Sequence, residues 1–260
     1  MPYDSRQMEE FAENYERWAE RRCDVTTRIF LSDYRKDATR TLAAHGLVRR
    51  LETMARCMEQ VFNLIPLDAT RPSRTSFQDA AIFIQSFVIN TYGSIDNLAR
   101  MWVWETDLTK RNGSPLPQKW IGLSSGCVVV RESLSPPFQE YLATTDPWFD
   151  YLENYRHALA HRIPLYIPPK ILDGTTAEQY GQLEHEMNIA RQERDHHKLY
   201  ELQSAQDDLG VFEPWMMHSY GPADNDGQPV RFHPQMICDI ATVIKLTEKM
   251  MSELEALPKI

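Results

Sequence analysis

The chain has 260 residues, of which 42% are hydrophobic and 25% are charged, and its formal net charge is −9. A chain of this length and composition can bury a substantial hydrophobic core. The acidic balance argues against a protein that coats nucleic acid through its overall charge, although it allows a local basic pocket. The longest apolar stretch, residues 80–89, contains Gln85 and Ser86 and is too short to cross a bilayer.

The amino-terminal segment lacks the basic and then apolar layout of a signal peptide. The four cysteines are scattered, and no two of them form a CxxC pair. Free thiols in a reducing compartment are the simplest interpretation of this pattern. These features predict a cytoplasmic protein without a membrane segment.

Hydrophobic periodicity predicts an all-α protein. Apolar side chains recur at the three- and four-residue spacing of one buried helical face. Pro72 and Ser73 mark the start of the helix over 77–102, and Pro234 lies in the first turn of the last one. The predicted helical stretches are residues 8–18, 44–62, 77–102, 133–143, 147–162, 176–209 and 234–254.

The stretch 176–209 is the most polar of these helices, and Thr175 or Thr176 would open it with a capping box. Its apolar face is thin, so we expect it to lie on the surface or to reach a partner. Two β-rich segments then flank the turn signal Asn225-Asp226-Gly227, which predicts one short hairpin within residues 212–232. The expected fold is a bundle of about seven helices with this hairpin.

The usual motifs for nucleotide, hydrolase or zinc chemistry are not found: the sequence contains no GxxxxGK[ST], GxGxxG, GxSxG or HExxH pattern. His157 and His161 lie four residues apart on one helical face, as two zinc ligands would, with Glu153 one turn earlier. No third ligand stands at a convincing position. The sequence therefore predicts neither a metal nor a cofactor.

The segment Arg156-His157-Ala158-Leu159-Ala160-His161 combines a phosphate-binding cation with side chains that exchange protons near neutral pH. On an unbroken helix Arg156 and His161 point about 140° apart, so they do not easily converge on one phosphate. Either the helix loosens before Pro164, or the site is shared across a two-fold axis. A structural alternative is that Arg156 only pairs with Glu153 or Glu132 and that His161 only caps the helix.

The same segment matches Arg-x4-His with a polar residue directly after the arginine, and in this the chain resembles the HEPN superfamily. A long helix with Tyr92-Gly93-Ser94-Ile95-Asp96-Asn97 precedes the motif, in agreement with the resemblance. The resemblance covers residues 36–170, which we expect to form a HEPN-like helical bundle. Residues 1–35 would then be an N-terminal helical extension, and residues 171–260 a C-terminal extension packed on the same core.

The resemblance implies a homodimer and, for many members, a metal-independent endoribonuclease of toxin–antitoxin, phage-defence or RNA-processing systems. Arg156 would hold the scissile phosphate, His161 would act as general acid or base, and His157 would assist. Glu153 could hydrogen-bond His157, while Arg162 and Arg131 would add positive potential. The expected partners are RNA or a nucleotide, a second copy of the chain, and an antitoxin or other partner protein.

Two alternatives stay open at the level of sequence. Other HEPN proteins keep the fold and serve as catalytically inactive nucleotide- or protein-binding modules. In addition, the polar helix over 176–209 and the hairpin after it could form an interaction surface.

Overall fold

The computed structural model describes residues 2–161, 163–219 and 229–258. Its strands are β1 (Ile163–Tyr166), β2 (Trp215–Ser219) and β3 (Val230–Arg231). A π-helical segment, Leu42–Leu47, joins the second helix to the third, and Gln118–Trp120 form a 3₁₀ turn. The α-helices are α1 (Ser5–Leu31), α2 (Asp37–Thr41), α3 (Val48–Leu64), α4 (Arg74–Glu105), α5 (Val128–Glu132), α6 (Pro136–His161), α7 (Gly174–Glu193), α8 (His196–Asp207) and α9 (Phe232–Glu255).

Local side-chain signals determine where the longest helices begin. Asp4 accepts a hydrogen bond from the backbone N–H of Gln7 at 2.8 Å and forms a capping box at the start of α1. Ser73 accepts a hydrogen bond from the backbone N–H of Ser76 at 3.1 Å and caps α4, as the sequence predicts. Helix α9 has Pro234 in its first turn, where the missing N–H costs no helical hydrogen bond.

Helix α4 lies at the centre of the protein and packs against α3, α6 and α9. Its apolar side chains join one hydrophobic cluster that also includes Trp18, Val25 and Ile29 of α1. Helix α1 lies along α9, and ion pairs from Arg21 to Glu248 and from Arg28 to Glu255 tie the two helices together. The first and last helices of the chain therefore share the core of the middle ones.

The short sheet has the strand order β1-β2-β3, and both pairings are antiparallel. Strands β2 and β3 pair Trp215 with Arg231 and Met216 with Val230, so the expected hairpin is present. Its turn signal, Asn225-Asp226-Gly227, lies outside the described residues. The prediction of an all-α bundle with one short β-hairpin is confirmed. Strand β1 was not predicted, because a four-residue segment that contains Pro164 carries no alternating pattern.

The two helices predicted over 133–143 and 147–162 form one continuous helix, α6, so that prediction is wrong. Pro147 lies inside this helix and cannot donate to the carbonyl one turn earlier. The helix continues through it because its buried face does: Leu142, Phe149 and Leu152 all lie in the main core. Tertiary packing thus outweighs the local cost of the proline.

The single polar helix predicted over 176–209 is also wrong, because the segment folds back on itself as α7 and α8. Arg194 adopts a left-handed conformation with φ 57° between them, and Asp195 then caps α8 by accepting from the N–H of Lys198 at 3.0 Å. The helix also begins earlier than expected, with a capping box between Asp173 and Thr176. Helix α6 replaces two predicted helices, and α7 and α8 replace one, so the two errors cancel in the number of helices. Seven described helices have twelve or more residues, as many as the sequence predicts.

Helices α7 and α8 pack mainly against each other. They share a small apolar cluster of Met187, Ala190 and Leu202 that is separate from the main core. The base of this helical hairpin is held by Lys170, whose Nζ donates to the carbonyl of Gln206 at 3.1 Å. The hairpin is therefore an appendage of the bundle rather than a part of its core.

Candidate active site

The arginine and the two histidines of the motif lie in the last turns of α6, which stays helical through His161. Tyr155 and Ala158 are buried on the inner side of these turns, whereas Ala160 and His161 are exposed. The first of the two alternatives, a loosening of the helix before Pro164, is not found up to His161. Arg156 and His161 therefore keep their separation of about 140° and flank the outward face of the helix, with His157 between them.

Arg156 is half-buried and lies on an aromatic ring of the neighbouring helix. Its guanidinium carbon is 4.6 Å from the ring centroid of Tyr92 in α4, which is a cation–π contact. Among the described residues no acceptor hydrogen-bonds to Arg156, and no carboxylate lies within ion-pair distance. The structural alternative, a pairing with Glu153 or Glu132, is thus not found. The N–H groups of the Arg156 guanidinium therefore stay available to an anion.

His157 lies beside Glu153, one turn earlier on the same face. The distance from His157 Nε2 to Glu153 Oε1 is 3.6 Å, which is longer than a hydrogen bond but within range of an ion pair. The two side chains are 39% and 48% exposed, so water screens the contact strongly. The expected hydrogen bond is therefore not formed, and the two side chains make a longer contact instead.

His161 is exposed at the carboxyl end of α6, and its ring centroid is 6.5 Å from that of His157, with 63° between the ring planes. The two imidazoles therefore lie side by side on the outward face. Such a pair can serve two proton transfers a few ångströms apart. Arg162, which we expect to add positive charge here, lies outside the described residues.

Arg131 does not belong to this site, contrary to the expectation from sequence. Its guanidinium forms a bidentate ion pair with Asp146, and its Nε donates to the carbonyl oxygen of Leu123 at 2.8 Å. These contacts join the segment before α6 to the first half of α6. Arg131 therefore has a structural role.

The structure adds residues to the site that the sequence analysis did not identify. Asp96 of α4 lies near Arg156, and Arg50 of α3 and Arg100 of α4 lie near the same carboxyl group. Burial raises the pKa of Asp96, whereas the three guanidinium groups lower it. Tyr92, Asp96 and Arg100 follow each other at four-residue spacing on one face of α4. That spacing could have pointed to them beside the Arg-x4-His segment.

No group of three His, Cys, Asp or Glu side chains could hold a metal ion among the residues that the structure describes. A cavity of about 920 Å³ lies between the ends of α1 and α9 and reaches Glu105 at the end of α4. Glu105 is thirteen residues from Tyr92, or about 20 Å along the helix. This cavity is therefore too far from Arg156 to be part of the same site, and the motif lies on an open surface instead.

Comparison with known proteins gives no relative: no family model, no curated protein and no solved structure matches this chain. The resemblance to HEPN proteins thus depends on the motif and on the helices around it. In the described part of the chain, no helix has both the length and the apolar character that a membrane span requires.

Proposed function

We propose that the protein is a metal-independent endoribonuclease of HEPN type that acts as a homodimer. The observation that carries the proposal is the environment of Arg156. The Tyr92 ring holds its guanidinium without neutralising it, beside two outward-facing imidazoles. Among the described residues no carboxylate lies within ion-pair distance of Arg156, and such a cation in an acidic protein suits an anionic ligand.

The chemistry follows from these side chains. Arg156 binds the non-bridging oxygens of the scissile phosphate and stabilises the charge that develops on them. The 2′-oxygen attacks phosphorus while its proton passes to one imidazole, and the P–O5′ bond breaks as O5′ receives a proton from another. His161 carries out one of these transfers and His157 assists the other. The products are a 2′,3′-cyclic phosphate and a free 5′-hydroxyl.

The separation of Arg156 and His161 around α6 supports a site shared between two subunits. The exposed strip between them can face the same strip of a second copy across a two-fold axis. Arg156 of one subunit then meets His161 of the other. We place this activity in the cytoplasm, in a toxin–antitoxin or phage-defence system where a partner protein restrains the nuclease.

The test is RNA cleavage by the full chain in the presence of EDTA. We expect cleavage that leaves 2′,3′-cyclic phosphate ends and that falls by roughly 10²-fold or more in both R156A and H161A. Matched controls are R74A, at the exposed start of α4, and H197A, on the exposed surface of α8. The proposal is wrong if both site variants cleave as fast as their controls.

Mixing the two inactive variants tests whether the site is shared. A heterodimer of R156A and H161A subunits contains one intact pair, Arg156 from one chain and His161 from the other. With random pairing, activity returns to about a quarter of the wild-type level. No recovery, with exchange of subunits verified, would place both residues of a site in one chain. A dimer that binds RNA and cleaves none would instead be an inactive binding module.

A further inference from the structure

The strip of α4 that lies between α3 and α6 carries Asp96 and Arg100, which are half-buried, and Gly93, which is buried. Arg50 reaches this strip from α3, and Arg156 reaches it from α6. All three arginines are half-buried, and all three act on the Asp96 carboxyl group. Three helices therefore place three guanidinium groups around one short stretch of α4.

Arg50 is held in a defined position by the backbone and by an amide. A Cβ atom at position 93 would lie only 2.4 Å from Cζ and Nη1 of Arg50, so the guanidinium occupies the space that Gly93 leaves open. Its Nη1 also donates to Oδ1 of Asn90 at 3.1 Å. Arg100 is oriented similarly, by a 2.7 Å hydrogen bond from its Nη2 to Oε1 of Gln118. Neutral amides thus orient both side chains without cancelling their charge.

The strip arginines differ from several other arginines of the protein in how their charge is balanced. Elsewhere Arg21, Arg28 and Arg231 pair directly with glutamates. Among the described residues none of the three strip arginines has such a partner, and no donor hydrogen-bonds to Asp96. Glu153 also lies close, but it faces His157. Three cations therefore oppose two carboxylates, and one of those carboxylates already has another partner.

We propose that Arg50 and Arg100, together with Arg156, form a groove along α4 that binds successive phosphates of the RNA strand. The inference rests on the proposed function, since Arg156 is taken to hold the scissile phosphate. Tyr92 and Arg100 are eight residues apart, or about 12 Å along the helix. One strand of a duplex carries a phosphate per about 3.4 Å of helix axis, and an extended strand carries fewer, so the groove spans about three nucleotides at most.

The test measures binding rather than cleavage. The probe is a labelled, mixed-sequence 2′-O-methyl oligoribonucleotide, which has no free 2′-hydroxyl and cannot be cut. We expect R50Q and R100Q each to weaken binding about tenfold, since each loses a charge-assisted contact. The slope of log affinity against log salt should fall by about 0.7 for each arginine removed. R74Q, on the same helix with the same loss of charge, should bind like the wild type.

A second variant separates the position of Arg50 from its charge. G93A keeps every charged group but drives a methyl group into the Arg50 guanidinium. We expect G93A to weaken binding about as much as R50Q does, although the net charge is unchanged. The clashing atoms are the far end of a flexible side chain, so Arg50 can move aside while the helix, which alanine favours over glycine, stays folded. Circular dichroism on each variant checks that the bundle is intact.

The outcomes distinguish the groove from the catalytic proposal. Weaker binding in R50Q, R100Q and G93A supports the groove even if the protein cleaves no RNA. Binding in R50Q and R100Q that matches R74Q overturns it, even if the wild type is an active ribonuclease. Absence of any binding by the wild type, with the salt concentration lowered, also overturns it.

Discussion

The two halves of α6 use the same kinds of side chain in opposite ways. In the first half, Asp146 receives both arms of Arg131, and Trp148 donates from Nε1 to Oδ1 of Asp239 at 2.8 Å. In the second half, Arg156 rests on an aromatic ring, and His161 is exposed. An arginine whose three guanidinium nitrogens all donate to protein oxygens, as in Arg131, is part of the structure. One held only by a π face keeps its donors for a ligand.

Arg131 and Arg156 also differ in whether a buried counter-charge lies beside them. The side chains of Arg131 and Asp146 are 14% and 29% exposed, so removing one partner leaves a poorly hydrated charge behind. Arg156 has no such partner to leave behind. The same substitution should therefore affect stability at one end of α6 and function at the other.

The largest expected effect is on stability. R131A should lower the free energy of unfolding by roughly 3 kcal/mol, because Asp146 loses its counter-charge. R156A should lower it by less than about 1 kcal/mol, the scale of an exposed cation–π contact. Urea unfolding followed by circular dichroism measures both. Equal losses in the two variants would contradict the division of α6 into a structural and a functional half.

The pH dependence of stability tests the buried groups that support the structural half. Burial raises the pKa of Asp239 from 3.8 to about 7, although Trp148 and Gln235 donate hydrogen bonds to it. The folded protein then binds a proton that the unfolded chain releases above pH 3.8, so this group makes stability fall as the pH rises toward 7. Its contribution is roughly 4 kcal/mol over that interval.

His233 changes the stability of the protein with pH in the opposite direction. It is 1% exposed, and burial lowers its pKa from 6.5 to about 4, partly offset by its 2.8 Å contact with the carbonyl of Ile65. The unfolded chain binds the proton more tightly here, so stability rises from pH 4 to pH 6.5 by roughly 3 kcal/mol. The two contributions nearly cancel in the wild-type protein.

Replacing Asp239 with a residue that does not titrate should leave the contribution of His233 to the pH dependence of stability visible. D239N keeps an oxygen acceptor for Trp148 but cannot titrate. We therefore expect its stability to rise relative to that of the wild type by roughly 3 kcal/mol between pH 4 and pH 6.5. Urea unfolding of both proteins at these two pH values measures the difference. Parallel pH profiles for the two proteins would show that Asp239 does not titrate as described.

The smallest expected effect concerns the ring under Arg156. Y92L removes the π face and should reduce cleavage of RNA by about fivefold, since a cation–π contact contributes about 1 kcal/mol. Y92F keeps the ring and should retain activity within about twofold. Because Phe and Leu both lack the hydroxyl, the comparison isolates the aromatic face. Equal activity in the two variants would mean that the ring does not position Arg156.

Much of the bundle could be predicted from the sequence, because its signals are local. Ser73 caps α4, and the apolar spacing along α4 fixes its buried face. Pro147 and the segment around Arg194 misled the prediction because the outcome there depends on tertiary packing and on one left-handed residue. Strand β1 has neither the length nor the pattern to be recognised without the strand that pairs with it.

The candidate site divides in the same way. Arg156, His157 and His161 are neighbours in sequence, so their grouping on one helix could be predicted. Arg100 lies one turn after Asp96 on α4, so sequence spacing alone could place it there. Arg50 comes from α3, and only the packing of α3 and α6 against α4 brings Arg50 and Arg156 near Asp96. Arg131 shows the reverse error, since sequence spacing does not reveal that Asp146 already holds it.

The left-handed residue Arg194 has a consequence for how this protein can change over evolutionary time. It turns the chain so that α7 and α8 bury their apolar side chains, Met187, Ala190 and Leu202, against each other rather than in the main core. Substitutions within that cluster should therefore disturb the packing of α4 and α6 little. We expect the hairpin to tolerate changes of length and charge that the tightly packed central helices do not.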